Sequence, residues 1–226
     1  MATVADHLAA IRERLAQAAE RAGRKASDIE LLAVSKTFPV EVIQEAVEAG
    51  QTLFGENKVQ ELLAKQPALP SRLRWHLIGH LQSNKVRKIL PIVEAIQGVD
   101  SLDLAKDINR VAAELGLFPK VYLEINVAAE SSKFGFNPQA VRDQLEALYG
   151  LDRLEIQGLM CIPPFSAAAE DSRRYFVLLR NLRDELEKLG GAPLPRLSMG
   201  MSHDFEVAIE EGATIVRVGT AIFGGR

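Results

Sequence analysis

Lys36 closes the apolar run LLAVSKT, and Arg217 interrupts another, TIVRVGTAIF. A lysine amine that is partly buried and close to other cations gives up its proton more readily and can attack a carbonyl to form an imine. At the end of a strand, Lys36 points either to solvent or into the fold, and position alone leaves both open. Strand alternation puts Ile215, Arg217 and Gly219 on one face and Val216 and Val218 on the other. A guanidinium keeps its proton inside a protein, so an inward Arg217 needs a carboxylate, a phosphate or another acceptor such as a pyridine nitrogen. A structural ion pair is the plainer alternative.

Other polar groups stand where apolar runs stop. The segments SMGMS and GTAIFGG are rich in glycine and hydroxyls, with Ser198, Ser202 and Thr220 placed to support a phosphate beside backbone N–H groups. GEN brings Glu56 and Asn57 to the end of a run, and WHLIGHLQSNK brings Trp75, His76, His80 and Asn84. His76 and His80 have the spacing of helical zinc ligands, but their segment reads as a strand turning into a loop, which does not align them. The single cysteine, Cys161, lies inside LEIQGLMCI and reads as a buried strand residue without an internal disulfide partner. No G-x-S-x-G elbow, Walker loop or strand-linked G-x-G-x-x-G appears, so acyl transfer, nucleotide hydrolysis and dinucleotide binding lack a signature.

The elements that must position these residues alternate. Val4, Leu8, Ile11, Leu15, Ala18 and Ala22 recur at helical spacing behind a Thr3/Asp6 capping box and before Gly23, giving an opening helix. IELLAVSK, TLFGEN, RWHLIGH, AIQGVD, KVYLEINV, LEIQGLMCI, RLSMGMS and TIVRVGTAIF then read as strands. Helical or helix-capable stretches separate them, VEVIQEAVEAG, SLDLAKDINRVAAELG and SRRYFVLLRNLRDELEKLG among them. Repeated strand and helix means parallel strands. Within 226 residues this pattern predicts a single α/β domain spanning residues 1–226, a (β/α)8 TIM barrel whose extra N-terminal helix covers the barrel bottom, in preference to an open doubly wound sheet. In such a barrel the strand ends carry function.

The formal charge of −3 is scattered without Lys/Arg clusters, which argues against a nucleic-acid partner. The first residues, MATVADHLAAIRERL, do not read as a leader, and nowhere do about 18 uncharged apolar residues run together. The expectation is a cytoplasmic protein with no membrane partner.

Together AVSKT, FGENKVQE, WHLIGHLQSNK, SMGMSHDFEVAIEEG and VRVGTAIFGGR resemble the pyridoxal phosphate homeostasis protein family, from about residue 30 to the end. That family is similar to the barrel domain of alanine racemase and carries pyridoxal 5′-phosphate (PLP) on a lysine at the end of the first strand. The resemblance implies a Schiff base on Lys36 and a phosphate held by Ser202 with the Met199 and Gly200 backbone, and by Gly219 with Thr220. It further implies Arg217 facing the pyridine nitrogen, with Asn57 and His76 beside the cofactor. Lys133, in SSKFGF where racemases carry an arginine, is a further implied contact.

An arginine against the pyridine nitrogen leaves that nitrogen unprotonated and weakens the ring as an electron sink. Racemases also have a second domain that supplies a catalytic tyrosine, and no segment resembling it follows the barrel here. The expected function is therefore a non-enzymatic, monomeric carrier in vitamin B6 homeostasis that buffers PLP and delivers it to PLP-dependent apoenzymes. The alternatives are a slow PLP-dependent amino-acid racemase and a cofactor-free aldolase barrel using the same lysine.

Overall fold

The computed structural model describes residues 2–130 and 133–225. Eight parallel strands, β1 (Glu30–Val34), β2 (Leu53–Glu56), β3 (Arg74–Leu77), β4 (Ala95–Val99), β5 (Lys120–Ile125), β6 (Glu155–Cys161), β7 (Arg196–Met201) and β8 (Ile215–Val218), close in chain order into a TIM barrel. β8 pairs with β1 to complete the ring, Leu32 lying opposite Arg217. Closure leaves no strand edge exposed.

The helices are α1 (Val4–Arg21), α2 (Val40–Glu48), α3 (Val59–Lys65), α4 (Val86–Ile89), α5 (Leu102–Leu115), α6 (Pro138–Asp143), α7 (Leu145–Tyr149), α8 (Arg173–Gly190), α9 (Phe205–Glu210) and α10 (Thr220–Phe223). Each follows from local chemistry. In α5, the Ser101 hydroxyl accepts from the Leu104 N–H, Leu104, Ile108 and Val111 form the buried stripe, and Gly116 ends the helix at a φ of 69°.

Two apolar layers result. Leu32, Val34, Leu53, Tyr122, Met160 and Ile215 fill the barrel interior, while the opposite strand faces pack against the helices in a larger outer layer. Cys161 belongs to that outer layer, and burial pushes its thiol up to about 12, so it is inert at neutral pH.

Two features differ from the sequence reading. The opening helix does not cover the barrel bottom. Its stripe of Leu8, Ile11, Leu15 and Ala18 packs against α9, α10 and α2, so α1 stands in the outer ring, in the gap after the last strand. Arg14 pairs with Glu206 and Arg21 with Glu210 across this contact, and the His7 ring meets the Ile222 carbonyl. In addition, the last strand ends at Val218, and Thr220–Phe223 coils into a helical turn at the barrel mouth, where the Phe223 ring lies 5.0 Å from that of Phe38.

Candidate functional site

At the C-terminal ends of the strands the barrel opens into a cavity of about 520 Å³. That volume suits a small ligand or cofactor. Lys36, two residues past β1, lines it, as do Asn57 after β2, Ser202 after β7, and Arg217, Gly219 and Thr220 at the end of β8. Val34 and Ile78 contribute apolar surface, and Phe134, Ile162 and Phe165 stand exposed at the rim. Gly79 is required for the closeness of two of these strand ends: a Cβ there would lie 2.4 Å from the Asn57 carbonyl oxygen.

Arg217 is 4% exposed and donates to the Ser198 hydroxyl at 2.7 Å and to the Cys161 carbonyl at 2.8 Å. Both acceptors are neutral, and Glu124 and Asp204 act on the guanidinium only through space, so the plain ion-pair explanation does not hold. Burial pushes its pKa down, yet a guanidinium stays charged. Below it a chain of directed bonds runs along the barrel axis: the Ser198 hydroxyl donates to Gln97 Oε1 at 2.6 Å, and Gln97 Nε2 meets His76 Nδ1 at 2.8 Å. Burial lowers the His76 pKa to about 4. A neutral ring accepting from Gln97 carries its proton on Nε2, so each donor points downward and Ser198 is left presenting a lone pair to Arg217.

At the other side of the mouth the Ser202 hydroxyl accepts from the Gly219 N–H at 3.2 Å and the Ala221 N–H at 3.4 Å, tying the β7 loop to the first turn of α10. Its own proton then points elsewhere. Glu124, from the inward face of β5, lines both this cavity and a smaller one of about 220 Å³ that also holds Lys133. Burial, reinforced by the Asp100 charge, raises the Glu124 pKa to about 7 against the pull of Arg217 and His80.

Of the residues expected at the site, Glu56, His76, Lys133, Ser198, Met199 and Gly200 do not line this cavity. His76 is inward but too low, at the end of the bond chain, where it meets Arg74, Glu94 and Tyr122 near the barrel bottom. The Met199 side chain is fully buried on the outward face of β7, against the helices, so the expected phosphate contact there rests on its backbone alone. Gly200, at a φ of 88°, sits so close to α9 that a Cβ would lie 2.5 Å from that of Ala208, and it does not line the cavity. Lys133 reaches only the side cavity, 2.8 Å from Glu130, and Ser131 and Ser132 of its motif are outside the described residues. Glu56 is not at the rim but fully buried behind β2.

Two residues not assigned to a ligand from the sequence also line the cavity: His80, named there only for its place and its spacing from His76, and Glu124. His80 bonds Asp100 at 2.7 Å and stacks on Phe134 with centroids 4.0 Å apart. Glu124 follows Tyr122 by two in KVYLEINV, and period-two alternation along that run marks it as inward.

An amine, a buried guanidinium without a bonded counter-ion among the described residues, and hydroxyls beside backbone N–H groups suit a compact ligand bearing a carbonyl, a basic ring nitrogen and an anionic group. Pyridoxal 5′-phosphate has all three. The comparisons point the same way. The family model described as alanine racemase, N-terminal domain, matches residues 7–226. Proteins named pyridoxal phosphate homeostasis protein are 46% identical in Aquifex aeolicus, over 98% of this chain and 97% of that one, and 45% identical in Pseudomonas aeruginosa, over 100% and 97%. The structure of PipY from Synechococcus elongatus solved with PLP bound superposes with a TM-score of 0.87 at 39% identity, covering 98% of this chain and 100% of that one. With full-length agreement in sequence and in barrel, this chain belongs to the pyridoxal phosphate homeostasis proteins of the alanine racemase N-terminal domain family.

Proposed function

We propose that the chain is a PLP-binding protein of intracellular B6 homeostasis, which holds the cofactor in the mouth cavity and acts in the cytoplasm as a single-domain monomer, without fast turnover of its own. The observation that carries this reading is the convergence of Lys36 and the carboxylate-free Arg217 on one cavity, in a family named for PLP homeostasis. When bound, the cofactor would supply a reactive aldehyde and an electron-withdrawing ring.

The protein's part is positioning. Lys36 is the covalent attachment point. Ser202, Gly219 and Thr220 flank the place for the phosphate, with hydroxyls and the backbone of the α10 turn. Arg217, fixed from below by Ser198 and from the side by the Cys161 carbonyl, presents positive charge where the ring nitrogen would lie, which keeps that nitrogen unprotonated. Asn57 and His80 border the ring's space, and Lys133, across Glu124, is a secondary contact.

An open mouth with apolar rings at its rim favours exchange over sequestration from water. The test is transfer: PLP-loaded protein mixed with a PLP-dependent apoenzyme should restore that enzyme's activity, while the loaded protein alone shows no sustained racemisation of amino acids. Turnover that disappears in Lys36→Ala would instead make it an enzyme, and failure to load PLP at all would favour a cofactor-free barrel.

A further inference from the structure

Lys36 sits in an unusual turn. The Phe38 N–H donates to the Ser35 carbonyl at 3.1 Å, closing Ser35–Phe38 into a four-residue turn with Lys36 and Thr37 at its centre. Thr37 has a φ of 69°. A positive φ at the third turn residue is ordinarily supplied by glycine or asparagine, and a β-branched residue held there is strained. Such strain persists only where surrounding contacts impose it.

Those contacts come from one charge cluster, buried at Lys65 and Glu56 and partly exposed at Glu61. Lys65, at the end of α3 and 8% exposed, donates to the Ser35 carbonyl at 3.0 Å, to Glu56 Oε1 at 2.8 Å and to Glu61 Oε2 at 3.2 Å. Glu61 Oε2 in turn accepts from the Thr37 N–H at 2.8 Å, and the Ser35 hydroxyl donates to Glu56 Oε1 at 2.7 Å. Both neighbours of Lys36 are therefore held by this cluster, Ser35 by Lys65 and Glu56 and Thr37 by Glu61, and none of the three lines the cavity. The Lys65 bonds to Ser35 and Glu56 are buried, while Glu61 is a quarter exposed and its bond to the Thr37 N–H lies at the surface; hydrogen bonds to charged groups are among the stronger ones.

We propose that Lys65, with Glu56 and Glu61, is a positioning residue for Lys36: the cluster imposes the strained turn that aims the Lys36 amine into the barrel mouth. The proposal rests on Lys36 being the residue that takes the carbonyl ligand. Breaking the grip lets Thr37 relax to a negative φ, which re-aims the preceding side chain and slows its reaction. Glycine at position 37 needs no grip to keep the turn.

The experiment compares wild type, Glu61→Ala, Lys65→Met and the double variant Glu61→Ala/Thr37→Gly, all below their melting temperatures. The readouts are the rate of covalent adduct formation with added PLP across pH, and hydrogen exchange at the Thr37 amide in the PLP-free protein. Glu61→Ala should slow adduct formation at least tenfold and speed Thr37 exchange. The double variant should recover the adduct rate although its Thr37→Gly amide still lacks the Glu61 acceptor, a rescue that a merely stabilising role does not predict. Lys65→Met should follow Glu61→Ala; if it does not fold, the Glu61 pair decides alone. Unchanged adduct rates and pH profile in Glu61→Ala, or a loss that Thr37→Gly does not restore, overturn the proposal. Wild type that forms no adduct on Lys36 would instead sink the proposed function, while protected Thr37 exchange would still report the grip itself.

Discussion

At the residue scale, the site combines groups whose charge states are set by burial. Glu124 is the most telling. Its side chain ionises near 4.5 in an unfolded chain and near 7 in the folded protein, because burial and the Asp100 charge both oppose ionisation. Between those values unfolding releases a proton, so stability falls as pH rises through the window, and the loss is complete above it. The gap corresponds to about 3 kcal/mol. Glu124→Gln, neutral throughout, should match the wild type near pH 4 and exceed it at pH 8, as read by urea unfolding of the PLP-free proteins. His76, neutral by burial, gives the opposite slope between about 4 and 6.5, but it does so in both proteins and cancels from the comparison. Parallel stability curves would show that Glu124 ionises normally. Arg217 was legible in the sequence because one inward arginine in an apolar strand has few bland explanations. His76 was misplaced because alternation gives the face of a strand and not the height along the barrel, and the mouth begins only at Ile78.

At the element scale, alternating strands and helices gave the barrel with its eight strands within a few residues, since apolar runs that stop at polar residues mark strand ends. β7 resisted: its pairing with β8 shifts register between Ser198 and Met201, where Gly200 takes a positive φ, so simple alternation fails across Met199 and Gly200. The place of α1 could not be read from its own stripe, which shows that one face is buried but not against what. In the ring it packs Leu8, fully buried, while Arg14 pairs with Glu206 in a half-exposed setting. Leu8→Ala should therefore cost about 2–5 kcal/mol, and Arg14→Ala within about 1 kcal/mol, both measured by denaturant unfolding. A negligible effect of Leu8→Ala would mean that α1 is dispensable to closing the ring. The grip of Lys65 on Ser35 was invisible for a further reason, since it joins residues 30 apart whose proximity exists only once β1, β2 and α3 are assembled.

At the scale of the whole molecule, the barrel separates support from contact. The bottom is a polar plug, with Arg74 bridging Glu30 and Glu94 and Lys120 also on Glu94. The axis carries directed bonds up to Arg217, and the mouth holds the groups that meet a ligand. Among the described residues no helix is long and apolar enough to cross a membrane. A carrier needs an open site with reversible covalent capture, and an enzyme of the same chemistry needs, in addition, acid and base groups on both sides of a bound substrate shielded from water. The mouth here is open, and burial poises Glu124 near neutrality on one side of it. Capture of PLP on Lys36 is tested by the visible spectrum of the PLP-loaded protein before and after borohydride reduction, with peptide mapping of the modified residue. The account predicts a band that reduction bleaches, a label confined to Lys36, no band in Lys36→Ala, and a shifted band with the label retained in Arg217→Gln; a label on another lysine, or an unchanged band in Lys36→Ala, would contradict it.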